Sequence, residues 1–141
     1  MFARDLLAVF TAQANQTFAW CVLPNHYHAL VEVPNVKDLL HGLGQLHGRI
    51  SHAWNGEDNV RGRKVFFRVV ERAMRSDRHF FATLNYVNHN PVRHGYVERW
   101  TDWPWSSAEE YLARAGIEEA KRVWNDYPIR DYGKGWDDAG I

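Results

Sequence analysis

The chain has 141 residues, 45% of them apolar, and its 17 Lys and Arg balance its 17 Asp and Glu to a formal net charge of zero. That is enough for one domain with a useful core, and the apolar content is that of a globular protein rather than a disordered one. No apolar run reaches the roughly 18 residues of a membrane span, Met1 to Arg4 do not begin a signal peptide, and Cys21 as sole cysteine excludes an internal disulfide; the expectation is a soluble, cytoplasmic protein with no membrane partner.

Zero net charge argues mildly against a nucleic-acid partner, but the distribution argues back. Residues 61–99 carry nine Lys and Arg against three Asp and Glu, whereas the segments on either side are net acidic. A basic middle third between acidic ends suits a phosphate-binding face, and equally a solvated surface.

In chain order, Leu6, Leu7 and Phe10 recur at helical spacing, which predicts a helix over 3–14. Residues 17–23 and 26–33 read as strands, and Pro24-Asn25 between them signals a hairpin turn. A helix is predicted over 36–54 with Asn35 as its N-cap. Residues 55–63 read as a polar loop, and 64–71, rich in Val and Phe, as a strand. A further helix is predicted over 77–90, capped by Ser76 and ended by Pro91, because the residue before proline avoids the helical region. Ser106 and Glu109 at capping-box spacing open a last helix over 106–115. The tail after Gly116 has no clear pattern. These elements make an α+β layout with a small antiparallel sheet. A split βαββαβ sheet needs one more strand before the first helix, and Met1 stands almost directly before that helix.

Two local patterns can carry chemistry. In Leu23-Pro24-Asn25-His26-Tyr27-His28-Ala29-Leu30-Val31, strand alternation sets Tyr27, Ala29 and Val31 on one face, expected to be core, and His26, His28, Leu30 and Glu32 on the other. Two imidazoles on one face can chelate a divalent cation; the same spacing also suits two ordinary half-buried histidines. In Tyr86-Val87-Asn88-His89-Asn90-Pro91, the helical advance of about 100° per residue aligns Phe80, Leu84 and Val87 as a buried stripe. Tyr86 and Asn90 then lie off that stripe, one turn apart on one flank. Asn90 can offer a hard cation its side-chain oxygen. The bland alternative for Tyr86 is an amphipathic residue at a helix–sheet boundary.

Together these segments resemble a known family. His26-Tyr27-His28 matches the His-hydrophobe-His motif of HUH transposases, and Tyr86 to Val97 (Tyr-Val-Asn-His-Asn-Pro-Val-Arg-His-Gly-Tyr-Val) looks like their catalytic helix and its sequel. Trp103-Pro104-Trp105-Ser106-Ser107 resembles the segment that follows. The three stand in family order over about residues 1–112, and the nearest branch is the REP-associated tyrosine transposases.

The resemblance implies a ferredoxin-like split βαββαβ sheet, here expected without its first strand, in a transposase domain over 1–115, with a C-terminal helical extension over 116–141. It implies Tyr86 as the single nucleophile, and His26, His28 and Asn90 as ligands of a divalent ion. Oxygen ligation at the third position favours Mg²⁺ or Mn²⁺. The implied activity is nicking and strand transfer on single-stranded or hairpin REP-like DNA through a 5′-phosphotyrosine, by a monomer or homodimer. Arg61, Arg63, Lys64, Arg68, Arg72, Arg75 and Arg78 are the candidate phosphate contacts, and Trp54, Phe66 and Phe67 candidate stacking residues. His79 and His89 are candidate bases for the tyrosine. The competing expectations are a decayed, domesticated hairpin-binding protein, a metal-dependent hydrolase of small phosphoesters, and a structural domain that binds no metal.

Overall fold

The structure is a computed structural model that describes residues 2–57 and 73–129, the side chains of 54–57 excepted. The expected strand over 64–71, the residues Phe66 and Phe67, and Arg61, Arg63, Lys64, Arg68 and Arg72 lie outside the described residues, as does the side chain of Trp54. Among those described, the order is α1 (Phe2–Gln13), β1 (Gln16–Val22), β2 (Tyr27–Glu32), α2 (Val36–Glu57), α3 (Asp77–Arg93), a 3₁₀ turn (Trp100–Asp102), α4 (Ala108–Ala115) and α5 (Ile117–Asp126). The expected α+β class is observed, and β1 and β2 make a two-stranded sheet. No helix among the described residues is long and apolar enough to cross a membrane.

The chain divides into two compact units. The first holds residues 2–17 and 31–57. Ala3, Leu6 and Phe10 bury one stripe of α1, and Leu39, Leu43 and Leu46 one stripe of α2. The two helices approach closely at Gly42, where a Cβ would come within 3.2 Å of a Val9 methyl. Asn35 caps α2 as expected, its Oδ1 accepting from the Asp38 N–H at 3.2 Å.

The second unit holds residues 18–30 and 73–129. Its core joins Ala19, Cys21, Leu23 and Leu30 of the hairpin to Leu84, Tyr86 and Val87 of α3, Tyr111 of α4, and Ala120 and Val123 of α5. The hairpin closes at Pro24-Asn25, with the Leu23 N–H bonded to the His26 carbonyl at 2.8 Å. The Trp-Pro-Trp-Ser-Ser segment runs beside β1: Val22 donates to the Trp105 carbonyl and Ser107 to the Trp20 carbonyl, flanking an antiparallel bridge between Cys21 and Ser106. Ser107 Oγ bonds both the Trp20 N–H and the Asn88 amide oxygen, which ties this segment to α3.

Two local expectations are corrected. First, Pro91 does not end α3. The helix runs on to Arg93, because a proline in the last turn forfeits only one backbone bond. It closes instead at Gly95, whose φ of 78° suits glycine. Gly95 donates to the Val92 carbonyl and Tyr96 to that of Pro91, the paired bonds of a Schellman motif. Second, the Ser106–Glu109 capping box does not form: the N-cap is Ser107, α4 begins at Ala108, and Ser106 Oγ accepts from the Ala108 N–H. The C-terminal extension, expected to be helical, forms α5, clamped by Asn85, whose Nδ2 donates to the Val123 and Tyr127 carbonyls.

Candidate active site

Both faces of β2 are covered: Tyr27, Ala29 and Val31 on the expected face are partly buried, and so is His28 on the other, where Leu30 is buried. Leu30 is 5% exposed and packs in the cluster with Tyr86 and Val87. Alternation then turns His28 the same way. Its ring meets the Tyr86 ring edge-on, centroids 5.2 Å apart. His26 follows, with centroids 5.0 Å from His28 and 5.2 Å from His94 at the end of α3. Both histidines and the tyrosine are therefore gathered in one unit, where the hairpin packs on α3.

Tyr86 is not off the core. It is 1% exposed, and every residue of α3 from Ala82 to Asn90 is buried except His89, which is partly so. The one-stripe reading of α3 fails because this helix is enclosed on several sides, by the hairpin, the 103–107 segment and α5. The flank shared by Tyr86 and Asn90 survives as a direction along the helix, with Asn90 also fully buried. Arg93, two turns after Tyr86, donates from Nη1 to its hydroxyl at 2.9 Å.

The donor set suits a divalent cation. Nε2 of His26, Nε2 of His28 and Oδ1 of Asn90 are buried atoms in the same unit. His26 Nδ1 lies 2.6 Å from Asn25 Oδ1. An amide oxygen can only accept, so this contact suits the tautomer that carries its proton on Nδ1, the one that leaves Nε2 as the ligating atom of a metal-bound histidine. Among the described residues no group of three or more His, Cys, Asp or Glu could hold a metal. A cation on these histidines would need a donor of another kind, and the buried Asn90 Oδ1 of the same unit is an oxygen of that kind.

The two candidate bases sit elsewhere. His79 is at the start of α3, its Nδ1 accepting from the Arg75 N–H at 3.3 Å. His89 is sandwiched between Trp100 and Trp124, centroids 4.5 and 4.0 Å away, and burial lowers its pKa from the ordinary 6.5 to about 4. It is neutral near pH 7 and occupied by packing. Of the rival tyrosines, Tyr27 has its phenol pushed up by burial, and Tyr111 is buried in the core. Arg75 and Arg78 are exposed at the start of α3, where they are open to a phosphate.

Arg93, His94 and Asn25 are the residues that sequence reasoning missed. A helix ended at Pro91 placed Arg93 and His94 beyond it. The signal was available: seven residues is nearly two whole turns, so Arg93 shares the Tyr86 face once the helix continues.

No family model matches the chain. It is 31% identical over 102 residues to a protein of Haemophilus influenzae provisionally named a REP-associated tyrosine transposase, covering 65% of this chain and 58% of that one. It is 30% identical over 97 residues to the REP-associated tyrosine transposase of Escherichia coli K12, covering 68% and 56% respectively. The match thus spans less than two thirds of the length of either relative. A solved structure of a REP-associated tyrosine transposase bound to a REP hairpin superposes with a TM-score of 0.63 at 22% identity, covering 81% of this chain and 67% of that one. That likeness establishes a shared fold.

Proposed function

From its place among the sequence relatives of the REP-associated tyrosine transposases, we propose that this chain carries the nicking and rejoining centre of a DNA transposase acting on single-stranded or hairpin DNA of the REP type. The observation that supports it most is the edge-on approach of His28 to Tyr86 at 5.2 Å, with His26 alongside. Folding brings two histidines and a tyrosine from distant parts of the chain to one place.

The Tyr86 phenol oxygen attacks the scissile phosphorus. An O–P bond to tyrosine forms, the P–O3′ bond breaks, and the proton lost by the phenol is balanced by the one gained at the new 3′-hydroxyl. The phosphodiester energy is kept in the 5′-phosphotyrosine, so a second 3′-hydroxyl can reverse the step on another strand without ATP. Arg93 holds the phenol oxygen in place through its N–H donor. Asn25 orients His26, and the Leu30 contact holds β2 against α3. A Mg²⁺ or Mn²⁺ ion on His26, His28 and Asn90 would supply charge to offset the phosphate oxygens.

The test is a labelled REP-type hairpin with an unpaired flank, incubated with protein and Mn²⁺ and run on a denaturing gel. Wild type is expected to leave a protein–DNA adduct that resists denaturation. Tyr86→Phe, which removes only the hydroxyl, is expected to bind the hairpin and form none. An adduct with Tyr86→Phe would assign the nucleophile to another residue and overturn the reading.

A further inference from the structure

We propose that Tyr96, Trp103 and Trp105 form a stacking shelf for unpaired DNA bases, leading away from the candidate active site. The proposal rests on the reading above for the class of ligand and adds the surface that would hold the single strand.

A continuous run of ring contacts starts at the site. His26 meets His94 at 5.2 Å, His94 meets Tyr96 at 6.3 Å, Tyr96 meets Trp103 at 5.3 Å and 31°, and Trp103 meets Trp105 at 5.3 Å and 72°. The run ends in solvent: Tyr96 is 43% exposed and Trp105 40%. Isolated exposed rings are ordinary, but a contiguous exposed aromatic patch marks an interaction surface.

The shelf is also rigid. The Schellman bonds fix the backbone at Gly95 and Tyr96. Trp103 donates its indole N–H to the Val22 carbonyl at 2.9 Å. The Trp105 carbonyl accepts from Val22 and the Ser107 N–H bonds Trp20, so backbone at and after Trp105 is pinned to β1. A fixed backbone and a held central ring lower the entropy lost on binding. Exposed Arg93 and Arg99 stand in the same segment, so cations accompany the rings. Cations that follow a backbone together with ring faces that accept any base are what unpaired nucleic acid requires. The rings begin at the histidines proposed to face the scissile phosphate, which places the shelf where the strand beside the cut would lie.

The experiment uses fluorescein-labelled oligothymidylate and, separately, a blunt REP-type hairpin with no unpaired flank. Binding is measured by anisotropy in EDTA, so neither metal nor cleavage enters. Tyr96→Leu and Trp105→Leu keep apolar bulk at exposed positions but remove the ring. Each is expected to weaken oligothymidylate binding about 5-fold or more, and the pair about 30-fold, with hairpin binding unchanged. Tyr96→Phe and Trp105→Phe are expected to keep most of the affinity. The proposal is overturned if wild type does not bind oligothymidylate, if the double Leu variant binds as wild type does, or if the Phe variants lose as much as the Leu ones. The outcome is separable from that of the nicking reading. Loss of the covalent adduct's dependence on Tyr86 would leave the shelf standing, and an intact adduct with unchanged Leu variants would remove only the shelf.

Discussion

The Arg93 guanidinium donates to the Tyr86 hydroxyl at 2.9 Å while its central carbon lies 5.1 Å from the centroid of the same ring. One partner is exposed and the other is 1% exposed. The exposed cation therefore holds the buried phenol, and a phosphate that reaches the phenol meets Arg93 as well.

Arg93→Met should therefore slow adduct formation at saturating hairpin by about 10-fold, the worth of one hydrogen bond to a charged donor, with hairpin affinity changed by less than about 3-fold. Single-turnover rates against DNA concentration separate the two effects. Arg93→Lys should recover part of the rate through its remaining N–H donors. A weakened affinity with an unchanged saturated rate would make Arg93 a phosphate contact and nothing more.

The cation predictions follow from the donor set. His26→Ala and His28→Ala should each abolish Mn²⁺-dependent adduct formation while hairpin binding in EDTA is kept. Asn25→Ala removes only the group that orients His26, and should lower Mn²⁺ affinity by about 10-fold in calorimetry. Full Mn²⁺ affinity in His28→Ala would show that the ion binds elsewhere.

His89 makes stability depend on pH. Its pKa in the folded chain, about 4, lies below the ordinary 6.5. Between those values the unfolded chain binds more protons, so stability is complete above about pH 6.5 and falls as pH drops toward 4. The loss is at most about 3 kcal/mol, because cation–π attraction to the flanking indoles offsets part of it. His89→Phe keeps an aromatic between Trp100 and Trp124 but cannot titrate. Denaturant midpoints of the variant should fall less between pH 7 and 5 than those of wild type. Equal falls in the two proteins would place the titrating group elsewhere.

Local signals in this chain were reliable where one turn of backbone decides the outcome. Asn35 and Ser76 cap their helices through the side-chain bonds expected of them, and Pro24-Asn25 closes its hairpin. They were weaker wherever the answer depended on what a segment packs against. His26-Tyr27-His28 reads correctly as alternation, yet alternation does not say which face is core. Here both faces of β2 are covered, and the packing of Leu30 with Tyr86 and Val87 brings the His28 side against α3. For α5, the deciding partner is the Asn85 amide far back in the chain.

Sequence by itself determined the inventory: two histidines two residues apart at the start of β2, a tyrosine with Asn90 one turn on, and ordered motifs that resemble a known family. These depend on residue identity and on backbone periods of two and about 3.6, which need no tertiary contact. Tertiary structure alone decided that Tyr86 is buried, that Arg93 holds its hydroxyl, that His89 is spent between two tryptophans, and that Tyr96, Trp103 and Trp105 line up beyond His94. Helix phase supposes one buried stripe, but α3 has neighbours on several sides, so its direction of burial was set by the segments that enclose it.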